Sequence, residues 1–244
     1  MNRLLIFDLP ISITSKLIKD IPNLYFSSSI NKIEKNYNKD DLVLFYNYSY
    51  RKSLYKFENV NPNHTMSKLC ENRIDQLTIL DTITKYPLTR TLLKDHSGFI
   101  NLEENKMYKV GNTHQGKDKY TFPEDKKLRV YHEDLVVEEF ITGRSIRILF
   151  IGDNIFGIEH ISDNKIKNIN PEEIIIDPPK ELIEDAKTIK NYLESINAKS
   201  LTIGIDYVYS KDKIGFLELN DMCGIPEELN ETFINEIIKL TKEY

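Results

Sequence analysis

The 244-residue chain has no tryptophan, only two cysteines, nine glycines and nine prolines, and no excess of positive charge. Each shortage excludes something. Cys70 and Cys223 lie far apart in sequence and give neither a disulfide framework nor a zinc-ligand spacing, which fits a reducing cytosol. A formal charge of −5 with a pI near 5.7 supplies no general attraction to nucleic-acid phosphates or to an anionic membrane. Any anionic ligand has to be held locally. The opening MNRLLIFDLP breaks its apolar run at Asp8, too soon for a signal peptide or a membrane-spanning helix, so a cytoplasmic protein is expected. Neither GxxxxGK[ST] nor GxGxxG occurs, which removes the two commonest glycine-rich nucleotide loops. What is present, 40% hydrophobic and 10% aromatic residues, suffices for a packed core in one large domain or two to three lobes.

Short apolar strands near 4–7, 24–26 and 42–48 alternate with a helical stretch from Ser12 to Asp20 and predict a small α/β lobe. The turn-rich segment from Glu58 to His64 ends it. Apolar Leu69, Ile74, Leu77, Leu80 and Ile83 then predict one amphipathic helix between Ser67 and Lys85, stopped before Pro87. Strands dominate as far as Ile161, among them MYKV (107–110), LVVEEFI (135–141), SIRILFI (145–151) and NIFGIEHI (154–161), with Gly152-Asp153 as a hairpin turn. DNKIKNINPEE is read as a polar loop. A helix over 179–196, two strands (LTIGIDYVY and KIGFLELND) and a helix closing the chain complete the pattern. The class is α/β with α+β character.

Three constellations carry chemistry. In LELN, Glu218 and Asn220 are two residues apart and share one strand face, while Leu217 and Leu219 turn to the core. A hairpin symmetric about Asp212 sets Asp206 across from Glu218. Two carboxylates and an amide oxygen suit Mg²⁺, a hard cation that completes its shell with water and phosphate oxygens. Taken alone, the same three residues are equally the solvated face of an amphipathic hairpin. The second constellation is KVGNTHQGKDKY, in which Lys109 leads into a loop with Gly111, Gly116, Lys117 and Lys119. Glycine backbone amides and lysine charges can close on phosphates, although a basic surface loop has the same composition, and His114 has no partner at ligand spacing. The third is VVEEFITGRSIRILF, where Phe140 and Ile141 offer an apolar slot. Arg147 there points away from its neighbours Ile146 and Ile148, either to steady phosphoryl oxygens or to form an ion pair with Glu138 or Glu139.

In their order and spacing, these segments resemble the ATP-grasp superfamily, specifically the RimK-type ribosomal-protein glutamate ligases and synapsin, from about Cys70 to the C-terminus. The resemblance implies an ATP-grasp fold with a small α/β lobe over 1–64, one ATP-gripping subdomain over 65–132 and a second over 133–244. It implies that Lys109 meets an α- or β-phosphate and that Gln115, Gly116 and Lys117 form a lid. Glu138, Glu139, Phe140 and Ile141 would form the adenine hinge, Arg147 would hold the transferring phosphoryl group, and Asp206, Glu218 and Asn220 would hold Mg²⁺. The activity implied is ATP-dependent joining of a small-molecule or peptide carboxylate to an amine through an acyl phosphate. A synapsin-like ATP-binding module and a small-molecule kinase are the alternatives. ATP and Mg²⁺ are the expected cofactors, no nucleic-acid or membrane partner is expected, and a homodimer is compatible. Three departures stand out: Gln76 where many relatives have a lysine, Ser145 where an aspartate precedes the arginine, and NKIKNINPEE, with Lys165, Lys167, Asn168 and Asn170, in place of a glycine-rich substrate loop.

Overall fold

The computed structural model describes residues 3–9, 11–21, 23–46, 51–111, 119–121, 127–162 and 171–243. Of the expected phosphate loop, His114, Gln115, Gly116 and Lys117 lie outside these ranges, as do Lys165, Lys167, Asn168 and Asn170.

The first sheet is parallel, in the order β2-β1-β3-β4: β1 (Leu4–Phe7), β2 (Leu24–Ser27), β3 (Leu42–Phe45) and β4 (Val60–Asn61). LLIF and LVLF are buried at every position, as strands covered on both faces must be. Leu5, Phe7, Val43 and Phe45 pack on Ile33 of α2 (Ile30–Asn36) and Leu54 of α3 (Arg51–Leu54). Leu4, Ile6, Leu42 and Leu44 pack with Ile13 and Leu17 of α1 (Ile11–Asp20).

Where one helix was predicted over 67–85 there are two, α4 (His64–Glu71) and α5 (Arg73–Leu80). Asn72 separates them with an extended backbone, φ −116° and ψ 111°, and its side chain accepts a hydrogen bond from Asp75 N. Asparagine at a helix start satisfies an otherwise orphaned amide, and apolar spacing alone cannot register that break. A four-stranded sheet follows in the order β5-β8-β6-β7: β5 (Arg90–Asn101), β6 (Lys106–Val110), β7 (Lys119–Thr121) and β8 (Lys127–Glu139). β8 stops at Glu139, so Phe140 and Ile141 belong to the connection rather than to the predicted strand.

The third sheet has the order β11-β10-β9-β12-β13 and is antiparallel throughout: β9 (Arg144–Ile151), β10 (Asn154–Ile161), β11 (Glu172–Ile176), β12 (Thr202–Tyr209) and β13 (Ile214–Asn220). β11 takes in the last two residues of the predicted polar loop. On one face Ile146, Ile148, Phe150, Ile205 and Phe216 pack against α5 and α6 (Lys180–Ser195). On the other, Leu149, Ile151 and Ile158 meet α7 (Asn230–Glu243). No helix among the described residues is long and apolar enough to cross a membrane.

One buried polar junction locks α6 to this sheet. Asp185, 0% exposed, accepts from Thr84 Oγ1 at 2.7 Å, Lys85 N at 2.6 Å and Tyr207 Oη at 2.8 Å. Burial and the facing Asp185 push the Tyr207 phenol far up, so it stays a donor. Asp185→Ala strands three donors and is expected to cost about 2–5 kcal/mol in urea unfolding, whereas Thr188→Ala on the exposed side of the same helix costs ~0.5 kcal/mol or less.

Candidate functional site

Three adjacent strands build the site by register. Arg147 on β9 pairs with Asp206 on β12, and Asp206 pairs with Glu218 on β13. Cross-strand partners project from the same face, so the three side chains stand in a row, and Asn220 shares that face two residues along β13. The sequence symmetry about Asp212 reaches this pairing only through an irregularity. Near the turn the pairs are Tyr209–Ile214 and Tyr207–Phe216, one residue off that symmetry, and a bulge between Asp206 and Tyr207 restores it. Leu217 is the extra residue and is only half-buried, not the core residue expected; Leu219 is buried at 2% exposure.

Arg147 grips Asp206 with both ends of its guanidinium, Nε to Oδ1 at 2.7 Å and Nη2 to Oδ2 at 2.9 Å. Burial works against the Arg147 charge, but Asp206 outweighs it and holds the guanidinium's pKa well above its ordinary value. Asn220 Nδ2 reaches Asp206 Oδ2 at 3.2 Å. The alternative ion pairs of Arg147 with Glu138 or Glu139 do not form. Glu138 is buried between Lys109 Nζ at 2.6 Å and Arg90 Nε at 2.8 Å, and Glu139 pairs with Lys213 at 2.6 Å. The Glu139 N–H goes to Thr89 O, just before β5, and the Phe140 N–H to Asn105 O, just before β6, so two of the hinge donors are taken within the protein. Phe140 and Ile141 are half-buried.

Several residues in the site have partners that the sequence pattern did not indicate. Gln76, expected to stand for a lost nucleotide contact, is a buried clamp on β13: its Nε2 donates to Leu219 O and its Oε1 accepts from Leu219 N, both at 2.9 Å. β13 is an edge strand, and unpaired edge groups need partners when buried. Gln76 supplies them between Glu218 and Asn220. Arg90 also bonds Asp81 and Phe216 O. Arg73 Nη1 donates to Gly111 O at 2.7 Å, with Nη2 3.8 Å from Glu218, while Lys119 Nζ lies 3.9 Å from the same carboxylate. Ser145, standing where a carboxylate was expected, approaches His160 Nδ1 at 3.5 Å, and His160 Nε2 lies 3.4 Å from Glu173. The two pairings put the Glu173 carboxylate on β11 in the Ser145–His160 row, two residues from the row of Arg147. Asp221, directly after Asn220, is buried against Arg51 of α3, and burial pushes its carboxyl up to about 6. This pair ties the first sheet's lobe to the end of β13.

As a donor set, Asp206, Glu218 and Asn220 offer oxygen alone, which fits Mg²⁺ and not a thiophilic metal. Among the described residues no group of three or more His, Cys, Asp or Glu gathers to hold a metal, so the set here depends on the Asn220 amide as its third oxygen. Lys109, in the strand before the proposed lid, is 3% exposed. Its burial pushes the ammonium down to about 8 from an ordinary 10.5, with Glu138 opposing the shift and Lys119 adding to it.

The three sheets and their helices have the ATP-grasp fold. Solved structures with that fold match the chain end to end. The D-alanine–D-alanine ligase of Bacillus anthracis complexed with ATP aligns over 99% of this chain and 97% of its own, with a TM-score of 0.61 and 14% identity. The ATP-grasp ligase PsnB, complexed with a phosphomimetic variant of its minimal precursor, Mg and ADP, aligns over 99% of both chains at a TM-score of 0.64 and 13% identity. A RiPP-associated ATP-grasp ligase of Chryseobacterium gregarium, in complex with ADP and a leader and core peptide, covers 100% of this chain and 97% of its own at 0.65 and 12%. No family model and no curated protein matches the sequence.

Lys109 makes the site's state readable by titration. Above about pH 8 the folded chain gives up the Lys109 proton while the unfolded chain keeps it to about 10.5, so stability rises with pH in that window. From pH 8 to 9.5 the unfolding free energy of wild type is expected to gain about 1–2 kcal/mol relative to Lys109→Met. Urea titrations of both proteins at the two pH values decide it: buried Cys70 and Cys223, whose thiols are pushed up, act oppositely but equally in both, so equal pH dependences of the two proteins contradict the buried charge.

Proposed function

We propose that the protein is an ATP- and Mg²⁺-dependent carboxylate–amine ligase that releases ADP. The observation that carries this reading is the row of Arg147, Asp206 and Glu218 on three paired strands, with Asn220 beside it and the buried Lys109 on the facing sheet. Phosphoryl transfer needs positioned charge rather than a nucleophilic side chain, and this row provides charge held rigidly by sheet register. The full-length likeness to ligases, one solved with ATP and others with ADP, supports the same reading.

In this mechanism Lys109 meets the α- or β-phosphate from β6, and Gln115, Gly116 and Lys117 cover the phosphates. The connection after β8, with Phe140 and Ile141, takes the adenine. Asp206, Glu218 and Asn220 would hold Mg²⁺, which would supply positive charge against the phosphate oxygens. A carboxylate oxygen attacks the γ-phosphorus, the bond to the β–γ bridging oxygen breaks, and ADP leaves. Arg147 steadies the phosphoryl oxygens and then the acyl phosphate, with Asp206 fixing its plane. The amine attacks the acyl carbon, phosphate departs, and the amine's proton passes to solvent or base. Substrate enters from the side of the parallel lobe, where ligands of open α/β sheets meet the carboxyl ends of strands. There Tyr46, just after β3, bonds Cys223 O at 3.3 Å. The peptides bound by PsnB and by the Chryseobacterium gregarium ligase make a peptide carboxylate or amine a substrate class to test first.

Incubation with ATP, Mg²⁺ and pooled amino acids and peptides separates the readings. Acceptor-dependent ADP and phosphate with a condensation product fits a ligase; ADP with a phosphorylated product would make it a kinase; ATP bound without turnover would make it a binding module. Glu218→Ala is expected to lower turnover about 100-fold or more without unfolding the chain. Arg147→Lys, which loses the two-pronged grip, is expected to lower kcat about 10- to 100-fold while ADP affinity changes less than about threefold. A Glu218→Ala protein with undiminished turnover would remove the metal assignment.

A further inference from the structure

We infer that Glu173 receives the amine substrate, holding it as its ammonium on the same sheet face as Arg147; this rests on the ligase reading above. That reading gives the nucleotide and the acyl phosphate their residues and gives the amine none. Three features of the five-stranded sheet single out Glu173.

The first is where it stands. Glu173 pairs with His160, and His160 with Ser145. Cross-strand partners share a face and side chains alternate along a strand, so Ser145, His160 and Glu173 all stand on the face of Arg147. Glu172 takes the opposite face. The two rows are two residues apart, about 7 Å along the strands. Burial and Asp206 dominate the surroundings of the Arg147 guanidinium, and burial and Cys223 those of the Tyr46 phenol, but the Glu173 charge acts on both. Glu173 therefore borders the space between the proposed phosphoryl-holding arginine and the proposed substrate entrance.

The second is how it is held. Ser145 is 6% exposed and His160 4%. Ser145 Oγ lies 3.5 Å from His160 Nδ1, and His160 Nε2 lies 3.4 Å from Glu173 Oε1. An ionised carboxylate only accepts, so the Nε2 proton faces Glu173. The His160 contact holds the Glu173 carboxyl below its ordinary range against the opposing effect of burial, and Arg147 adds to the shift. A buried imidazole thus orients an anion. Glu159, on the other face, is gripped instead by both ends of Arg144, at 2.9 and 2.7 Å.

The third is what surrounds it. The Glu173 side chain is 34% exposed, and Ile175, two residues along the same face, is 38% exposed. An open carboxylate beside apolar surface suits an ammonium on an alkyl stem, whose carbons pack while the charge pairs. The nearby Arg147 charge eases loss of a proton from such a cation. In the coupling step the ammonium gives one proton to water and its freed lone pair forms the C–N bond. The acyl C–O bond breaks toward phosphate, and the nitrogen's second proton leaves with the phosphate. Glu173 stays ionised and sets where the nitrogen stands.

The test separates charged from uncharged nucleophiles. A pool of N-acetylated amino acids and peptides supplies carboxylates; C-terminally amidated amino acids and peptides supply ammonium groups, and hydroxylamine at pH 8 supplies an uncharged nucleophile. ADP release is followed with ATP and Mg²⁺ in each arm. Glu173→Gln is expected to raise KM for the amidated compounds about tenfold or more, while hydroxylamine turnover and KM for ATP change less than about twofold. Glu173→Asp should recover part of the loss, and Glu173→Lys should abolish use of the ammonium compounds while hydroxylamine turnover persists. Single amidated compounds then show whether an α-ammonium or a side-chain ammonium carries the effect. Variants that use the amidated compounds like wild type, or that lose both nucleophiles alike, overturn the inference and leave the ligase reading intact. A wild type that turns over with hydroxylamine and with no ammonium does the same. A wild type that releases no ADP with either nucleophile overturns both.

Discussion

The register of β9, β12 and β13 is the constraint on which the rest of the site depends. It sets Arg147, Asp206 and Glu218 side by side with no loop involved, so their spacing is that of paired strands. A slip of one residue in β13 would turn Glu218 and Asn220 into the core and Leu219 out of it. Two devices oppose that slip. The bulge at Leu217 fixes where the pairing shifts, and Gln76 holds the backbone of Leu219 from the neighbouring helix.

Around this row the protein spends buried charge freely. Lys109, Glu138 and Arg90 form one chain of ion pairs; Arg147 and Asp206 form another; Arg51 and Asp221 fasten the parallel lobe to the strand's end. Buried pairs of this sort contribute little net stability compared with apolar packing. Their use here is positional: the first two fix side chains across neighbouring strands of one sheet each, while Arg51–Asp221 and the Arg90 bond to Phe216 O cross from one unit to the next. Asp185 does the equivalent with neutral donors, holding Tyr207 next to Asp206.

Much of this was legible beforehand, for physical reasons that differ by element. The strands and α6 showed because apolar residues recur at the period of their own geometry, and the facing of Asp206 and Glu218 followed from hairpin arithmetic. The ATP-grasp architecture followed from the order of motifs. The break at Asn72, the strand β11 and the half-burial of Leu217 were not legible, because a cap, a strand beginning in polar residues and a bulge each defy simple periodicity. Arg147's partner was misjudged because its two candidates, Glu138 and Glu139, are claimed by Lys109, Arg90 and Lys213, which only the three-dimensional arrangement reveals. Arg73, Gln76 and Arg90 escaped because a cation or amide acting across sheets leaves no spacing signature.

The central claim is that the face carrying Asp206, Glu218 and Asn220 binds a nucleotide through Mg²⁺. A crystal structure grown with ADP and Mg²⁺ tests it most directly. The account predicts a cation about 2.1 Å from oxygens of those three side chains, bridging to the nucleotide's phosphates. Nucleotide bound elsewhere, or phosphates seated with those three side chains untouched by metal, would contradict it.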